Sequence, residues 1–155
     1  MRRFSPCLIA ALIAAGCFSG PKTPGELGTF PVTPAVPPDH VQVQHILIGF
    51  KGTIPGRNIA RTRQQADSLA QVILTRVRYG ADFDQAVRDY TDDSYPGIYG
   101  MSNRGVPPGK GEYPRDGIVT AFGDVGFGIS VGNIGFAEYD PVKSPYGWHI
   151  IKRLK

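Results

Sequence analysis

The sequence has few of the residues that metal sites, disulfides and covalent catalysis require. Its two cysteines, Cys7 and Cys17, both lie in the first 17 of 155 residues, and the whole chain holds only three histidines. No cysteine–histidine spacing typical of a zinc site occurs, so we expect neither a metal ion nor another cofactor. No G-x-S-x-G motif or cysteine–histidine pattern indicates a nucleophile. The sequence therefore gives no support to a metalloenzyme or a covalent catalyst.

The sequence also lacks any run of basic residues interleaved with aromatic ones. The 17 lysines and arginines exceed the 13 acidic residues by 4, and several of the basic residues lie at the two ends of the chain. A nucleic-acid-binding surface needs a clustered basic patch, usually combined with aromatic residues. We therefore expect no nucleic-acid partner.

The N-terminus has the layout of an export signal. "MRRFSPCLIAALIAAGC" has a basic start, an apolar stretch from Cys7 to Ala15 and small residues before Cys17, and it is too short for a membrane span. The end of this stretch resembles a bacterial lipoprotein cleavage site, where the cysteine becomes the lipidated first residue, although Ala14 stands where that pattern favours leucine. A lone mature cysteine could not form an internal disulfide. We predict a signal peptide at 1–16 and lipidation of Cys17; an ordinary signal peptide is the alternative.

Two regions of different composition follow the predicted signal. Residues 17–40 are rich in proline and glycine without an apolar period, which predicts an extended tether. Residues 41–155 carry periodic apolar patterns and are predicted to form one domain. An anchor at Cys17 would hold this domain near a membrane, facing the periplasm. Phe18 stands where an aspartate is associated with inner-membrane retention, which favours the outer membrane.

The apolar patterns of residues 41–155 predict an α+β domain. Strands are expected at "VQVQHILI", "GIYGM" and "YGWHIIKRL", a long helix from Ile59 to Gly80 with Asn58 as its cap, and a short helix in "ADFDQAVRDYT". "IVTAFGDVGFGISVGNIG" has a weak helical pattern. Because each glycine costs about 1 kcal/mol relative to alanine in a helix, we expect irregularity there. This order of elements predicts a small, mainly antiparallel sheet.

Two histidines lie on apolar faces of the first and last predicted strands. His45 shares its face with Val43 and Leu47, and His149 shares its face with Ile151. Each one alone is explained most simply as a hydrogen-bonded core histidine. Two such residues in one small sheet could instead hydrogen-bond to each other, which would fix their tautomers.

Two further motifs carry less information. "YTDDS" places Asp92 and Asp93 after the second helix, where acidic residues and serine are ordinary turn formers. "GDVGFGISVG" has the glycines of a phosphate-binding loop but not the lysine and hydroxyl residue that such a loop requires. Neither motif identifies a site by itself.

Four segments resemble parvulin-type peptidyl-prolyl isomerases in sequence and order: "VQHILIGF", "ADFDQAVRDYTDDS", "AFGDVGFGISVGNIG" and "SPYGWHIIK". The resemblance covers residues 41–155. It implies a four-stranded, mostly antiparallel sheet surrounded by helices. It also implies cis–trans rotation of X-Pro bonds in unfolded or extended polypeptides, without a cofactor or covalent intermediate.

The resemblance also assigns the candidate site residues. It implies catalytic roles for four residues: His45 and His149 as paired histidines beneath the cleft, Asp93 as its carboxylate, and Ser144 as a hydroxyl bonded into the histidine pair. It implies substrate contacts for Ile118, Phe122, Phe127, Tyr146 and Trp148.

Three departures from the resembled family concern the cleft. Ile118 and Val119 stand where methionine and glutamine are common, "GIYG" lacks the usual Asp-Leu pair, and a Gly/Pro-rich insertion occupies Val106 to Gly117. The loop after the first strand holds only sparse basic residues, so we do not expect phosphoserine recognition. These departures leave open a non-catalytic, parvulin-like module that binds extended chains as a chaperone. A third alternative is a structural lipoprotein domain that binds no ligand.

Overall fold

The computed structural model describes residues 36–155. In chain order the elements are β1 (His40–Ile48), α1 (Arg63–Arg78), α2 (Phe83–Tyr90), β2 (Ile98–Ser102), β3 (Glu112–Pro114), a 3-10 turn (Arg115–Gly117), α3 (Thr120–Gly128), β4 (Ile134–Ala137) and β5 (Trp148–Arg153). The predicted signal peptide, Cys17 and most of the predicted tether lie outside the described residues. None of the helices within 36–155 is both long and apolar enough to cross a membrane.

The sheet has five strands in the order β3-β2-β1-β5-β4. β1 pairs antiparallel with β2 and β5, and β5 pairs antiparallel with β4. β3 pairs parallel with β2, from Gly100 opposite Glu112 to Ser102 opposite Pro114. The expected four-stranded sheet is corrected by this fifth strand. β3 lies in the Gly/Pro-rich insertion, Val106 to Gly117, where no strand is predicted, and its pairing depends on the chain returning alongside β2.

The two faces of the sheet bury separate apolar clusters, because successive side chains of a strand point to opposite faces. Ile46 and Ile48 of β1, with Trp148 and Ile150 of β5, pack against α1 and α2. On the other face, residues of β1, β2 and β5 pack against α3, and the candidate site lies on that face. Since β1 and β5 are the central pair and are buried on both faces, they form a rigid base for the site.

The long helix begins later than the sequence pattern predicts. α1 starts at Arg63 with Thr62 as its cap, not near Ile59 with Asn58 as its cap. The Thr62 hydroxyl accepts a hydrogen bond from the backbone N–H of Gln65, and the Gln65 side chain accepts one from the backbone N–H of Thr62. This reciprocal capping box satisfies two N–H groups that would otherwise lack partners. The expected helix start is therefore wrong by one turn.

α3 is a regular helix despite its glycines, which corrects the expected irregularity. A Cβ atom at Gly126 would lie 2.7 Å from the terminal methyl carbon of Met101 and 3.4 Å from a methyl carbon of Val43. The glycine therefore lets α3 pack directly on β1 and β2. This close packing offsets the low helix propensity of glycine.

The folded region begins just before the predicted boundary at residue 41. The backbone N–H of Asn103 donates to the Asp39 carbonyl at 2.8 Å, and the Asn103 side chain donates to the Pro38 carbonyl at 3.0 Å. His40 is already part of β1. The last residues of the predicted tether thus belong to the domain.

Candidate active site

The two buried histidines come together on the α3 face of the sheet. In the β1–β5 register, Leu47 lies opposite His149 and His45 lies opposite Ile151, so the histidines are diagonal neighbours. Their Nδ1 atoms are 3.2 Å apart and their ring planes differ by 15°. Each residue is 3% exposed. The sheet therefore joins residues that are 104 positions apart in sequence into one buried pair.

Asp93 extends this pair toward the open side of the site. The Nε2 atom of His45 lies 2.9 Å from Oδ2 of Asp93. The hydroxyl of Tyr99, in β2, donates to the same oxygen at 2.7 Å. Asp93 is positioned by the segment after α2, where the backbone N–H of Asp92 donates to the Leu47 carbonyl at 2.8 Å. One carboxylate thus links β1, β2 and the end of α2.

The acceptor-only carboxylate determines the direction of the hydrogen bond between His45 and Asp93. An ionised carboxylate donates no proton, so Nε2 of His45 carries the hydrogen of this bond. The two Nδ1 atoms form a second hydrogen bond, in which one Nδ1 donates and the other accepts. These two hydrogen bonds fix the orientation of the His45 ring between His149 and Asp93.

The pKa directions indicate an anionic Asp93 and a neutral, buried His149. The hydrogen bond from His45, and then those from Tyr99 and the backbone N–H of Ser94, lower the pKa of Asp93 below its usual range despite partial burial. Burial lowers the pKa of His149. Burial, and then the hydrogen bond to Asp93, raise the pKa of Tyr99. Tyr99 therefore keeps its proton, and can donate a hydrogen bond to ionised Asp93, at neutral pH.

Phe122 of α3 forms the apolar floor around this polar chain. Its ring meets the His45 ring edge-on at a centroid distance of 5.0 Å and lies 5.4 Å from the ring of His149. The ring of Tyr99 lies 5.7 Å away, also edge-on. Because Phe122 is 5% exposed, it separates the histidines from solvent on this side.

An open cleft of about 600 Å³ lies above the floor, which is large enough for a short peptide segment. Among residues 36–155, Asp93 is the only acidic side chain in its lining, and no lysine or arginine of that range contributes. The lining residues are His45, Leu47, Ile54, Pro55, Asp93, Tyr99, Tyr113, Gly117, Ile118, Val119, Phe122, Tyr146 and His149. The cleft is therefore an apolar and aromatic groove with one carboxylate.

Two loops bring further walls to the cleft. The loop between β1 and α1 contributes Ile54 and Pro55, and it is held at its base by the ion pair of Arg61 with Asp92. Arg61 also donates to the Gly49 carbonyl at 3.2 Å. The predicted insertion contributes Tyr113 through β3, so it forms a wall of the groove on the side of β2.

A glycine allows β1 and the start of β2 to approach beside the catalytic candidates. Gly97 has φ of +66°, and a Cβ atom there would lie 2.6 Å from the carbonyl oxygen of His45. The backbone N–H of His45 donates to the Gly97 carbonyl at 2.9 Å. A side chain at this position would therefore disturb His45 directly.

The structure separates the candidate residues from the sequence into two groups. His45, Asp93, His149, Ile118, Phe122 and Tyr146 all line the cleft. Three others do not line the cleft: Trp148, Phe127 and Ser144. Trp148 lies on the opposite face of the sheet against Ile150 and the α1–α2 cluster, because neighbouring residues of β5 point to opposite faces. Phe127 is buried beneath the cleft, with the Arg115 guanidinium 4.7 Å above its ring.

Ser144 also differs from expectation. Its hydroxyl donates to the Gly147 carbonyl at 2.8 Å and forms no hydrogen bond with either histidine. Ser144 is fully buried in the turn that precedes β5, where its backbone N–H donates to the Asp140 carbonyl at 2.9 Å. Its observed contacts are those of a residue that shapes this turn.

Four residues that line the cleft are not predicted from the sequence: Tyr99, Tyr113, Ile54 and Pro55. The alternation in "GIYGM" places Tyr99 and Met101 on one face of a strand, but the sequence does not reveal which face contacts His45. The register answers this, because Tyr99 lies opposite Val43, a residue on the His45 face. Within residues 36–155, no group of three or more His, Cys, Asp or Glu side chains is arranged to bind a metal ion.

Comparison with known proteins identifies the fold and the family. The TbPIN1 solution structure matches with a TM-score of 0.56 at 21% identity, over 76% of this chain and 98% of that chain. The chaperone SurA of Chromohalobacter salexigens is 33% identical over 111 residues, which cover 72% of this chain and 21% of the relative. The chaperone SurA of Pseudomonas fluorescens is 28% identical over 116 residues, which cover 75% of this chain and 23% of the relative.

The alignments span less than a quarter of these two curated relatives, so they concern one domain of longer proteins. The PPIC-type PPIase domain family matches residues 31–155, which include every residue of the cleft. The chain therefore belongs to the parvulin-type, or PPIC-type, family of peptidyl-prolyl isomerase domains.

Proposed function

We propose that this protein is an active peptidyl-prolyl cis–trans isomerase that acts on exported, unfolded or extended polypeptides. The observation that carries the proposal is the apolar cleft, in which one anionic carboxylate is held by two donors. Family membership supports the reaction type.

The reaction requires rotation about an amide bond, not bond making or breaking. Resonance gives this rotation a barrier of about 18–20 kcal/mol. The planar amide is more polar than the twisted one, since its resonance form carries negative charge on oxygen and positive charge on nitrogen. An apolar groove that grips the proline ring therefore favours the twisted state over the planar state.

Asp93 would add an electrostatic contribution to this preference. A carboxylate close to the substrate carbonyl oxygen repels the negative charge of the planar resonance form, and low solvent exposure strengthens this repulsion. The hydrogen bonds from His45 and Tyr99 keep the carboxylate ionised and oriented. In this mechanism the histidine pair orients Asp93 and shapes the cleft, and no proton transfer is needed.

An exchange assay on a short Ala-Pro peptide tests the reaction with matched variants. Asp93→Asn keeps the size of the side chain and removes its charge, and we expect kcat/KM to fall about tenfold or more, within the range of single electrostatic contacts. Asp89→Asn makes the same chemical change at an exposed position of α2, and we expect it to retain wild-type activity. Full activity of Asp93→Asn would contradict the assigned mechanism. A wild-type protein without activity would contradict the proposed function.

A second candidate function is binding of extended chains without turnover. The two similar curated proteins are named as chaperones, and the fifth strand and its preceding loop alter the wall of the groove. The two functions separate in one experiment. A chaperone without isomerase activity would suppress aggregation of an unfolded client and leave the rate of peptide isomerisation unchanged.

We further propose that export and a lipid at Cys17 place the protein on a membrane facing the periplasm, with the outer membrane preferred. The support is the N-terminal sequence pattern alone. Cys17→Ser in the full chain is expected to abolish incorporation of labelled fatty acid and to release the protein from the membrane fraction. Lipidation at Cys17 would be refuted if the variant still incorporated the labelled fatty acid and remained in the membrane fraction.

A further inference from the structure

Tyr99 donates one of the two side-chain hydrogen bonds to Asp93, and the rest of its side chain also makes specific contacts. It lies in β2 opposite Val43, so its side chain projects over the same face of the sheet as His45. Its hydroxyl hydrogen bond to Oδ2 of Asp93, at 2.7 Å, is among the shortest side-chain contacts of the site. The side chain is therefore fixed at its polar end as well as by its ring.

The ring of Tyr99 has a defined place among the aromatic groups. It meets the ring of His45 edge-on at 5.1 Å and the ring of Phe122 edge-on at 5.7 Å. On its outer side lies Tyr113 of β3, with centroids 5.8 Å apart. These contacts hold the ring independently of the hydroxyl, so removing the hydroxyl alone should leave the packing intact.

The Tyr99 hydroxyl provides a second side-chain hydrogen-bond donor to the carboxylate of Asp93. Oδ2 of Asp93 accepts from Nε2 of His45 and from Tyr99, and these two donors approach from β1 and β2. Without Tyr99, the donors to the carboxylate would be His45 of β1 and the backbone N–H of Ser94 in the adjoining segment. Tyr99 adds a donor from β2, and donors on two strands define the orientation of the carboxylate. The phenol donates without adding a positive charge, so the negative charge of Asp93 stays available to a substrate.

We infer that Tyr99 is a positioning residue that holds Asp93 in its catalytic orientation through the hydroxyl hydrogen bond. The inference deepens the proposed isomerase function and rests on it for the role in turnover. The hydrogen bond itself is testable without any enzyme assay.

Tyr99→Phe is the test variant, and Tyr139→Phe is its control. Tyr139 packs against Phe50 and Trp148 on the opposite face of the sheet, so the control deletes a hydroxyl far from the cleft. Circular dichroism and thermal unfolding establish that both variants are folded. The carboxyl carbon of Asp93 is followed by NMR in the full-length protein during acid titration, and kcat and KM are measured separately for an Ala-Pro peptide.

We expect protonation of Asp93 in Tyr99→Phe to begin at a pH about one unit higher than in the wild type, as loss of one hydrogen bond to a charged group implies. We expect kcat to fall several-fold while KM stays within about twofold, because the groove walls are unchanged. Tyr139→Phe should match the wild type in every measurement.

Either of two results overturns the inference: an Asp93 titration that is the same in Tyr99→Phe and the wild type, or an unchanged kcat in a wild type that is active. If the wild type shows no isomerase activity, the proposed function fails, and the NMR titration alone decides whether Tyr99 positions Asp93.

Discussion

The buried histidine of β5 should make the protein lose stability in mild acid. The pKa of His149 is lowered on folding, mainly by burial, so the unfolded chain binds this proton more tightly than the folded chain. The stability that depends on neutral His149 is therefore complete above the unfolded pKa near 6.5 and decreases as the pH falls below it. The loss approaches about 1.4 kcal/mol per pH unit at low pH and amounts to about 1.6 kcal/mol between pH 6.5 and pH 5.

Urea unfolding at several pH values between 5 and 8 measures this loss. The fluorescence of Trp148 reports the transition, because it is the only tryptophan of the chain and is 4% exposed. Staying above pH 5 separates the effect from that of Asp93. The pKa of Asp93 is also lowered on folding, so its contribution is present above the unfolded pKa near 3.9 and lost only below it.

His149→Asn is the decisive variant, because the asparagine amide can still donate to His45 but does not titrate. We expect lower stability overall but a flatter dependence on pH than in the wild type. His40→Gln removes a histidine from the exposed start of β1 and should keep the steep loss, because His149 is intact. The reasoning is refuted if the wild-type stability is constant between pH 5 and 8, or if His149→Asn retains the wild-type slope.

Three further substitutions test the architecture around the site. Arg61→Gln breaks the ion pair with Asp92, so we expect a higher KM for peptides and a free energy of unfolding lower by about 1–3 kcal/mol, measured by kinetics and urea unfolding. Trp148→Phe should leave kcat/KM unchanged and lower the melting temperature, because Trp148 packs away from the cleft; a large loss of activity would return it to the binding site. Gly97→Ala should reduce both stability and kcat, since its Cβ would meet the His45 carbonyl at 2.6 Å, and wild-type values for both would contradict that steric argument.

The sequence predicts the central strands and the histidine pair well, because their information is local. Alternation along β1 and β5 assigns His45 and His149 to one face, and the two strands pair as neighbours. α2 is also predicted closely, since the observed helix Phe83–Tyr90 lies within the predicted segment; the structure adds Asp82 as its cap. In each case the elements follow from the local order and spacing of the apolar residues.

The parts that the sequence does not predict depend on tertiary contacts. α3 tolerates its glycines because Gly126 packs directly on Met101. β3 forms only where its segment returns alongside β2. Local propensity carries no information about either contact. The start of α1 differs, because its capping box of Thr62 and Gln65 is a local signal that the apolar pattern alone does not contain.

The same distinction explains why the candidate site was predicted incompletely. The resemblance to parvulins assigns His45 and Asp93 from matching motifs, but Tyr99 lies in "GIYG", where this chain departs from the usual Asp-Leu pair. A departure from a motif leaves a position without an assigned role until the register of its strand is known. In this chain, that register places the Tyr99 hydroxyl against the carboxylate of Asp93. The residue that departs from the Asp-Leu pair therefore forms a hydrogen bond with the candidate catalytic residue. If Tyr99 positions Asp93 as inferred, the position at which this chain departs from the family motif controls the orientation of the Asp93 carboxylate.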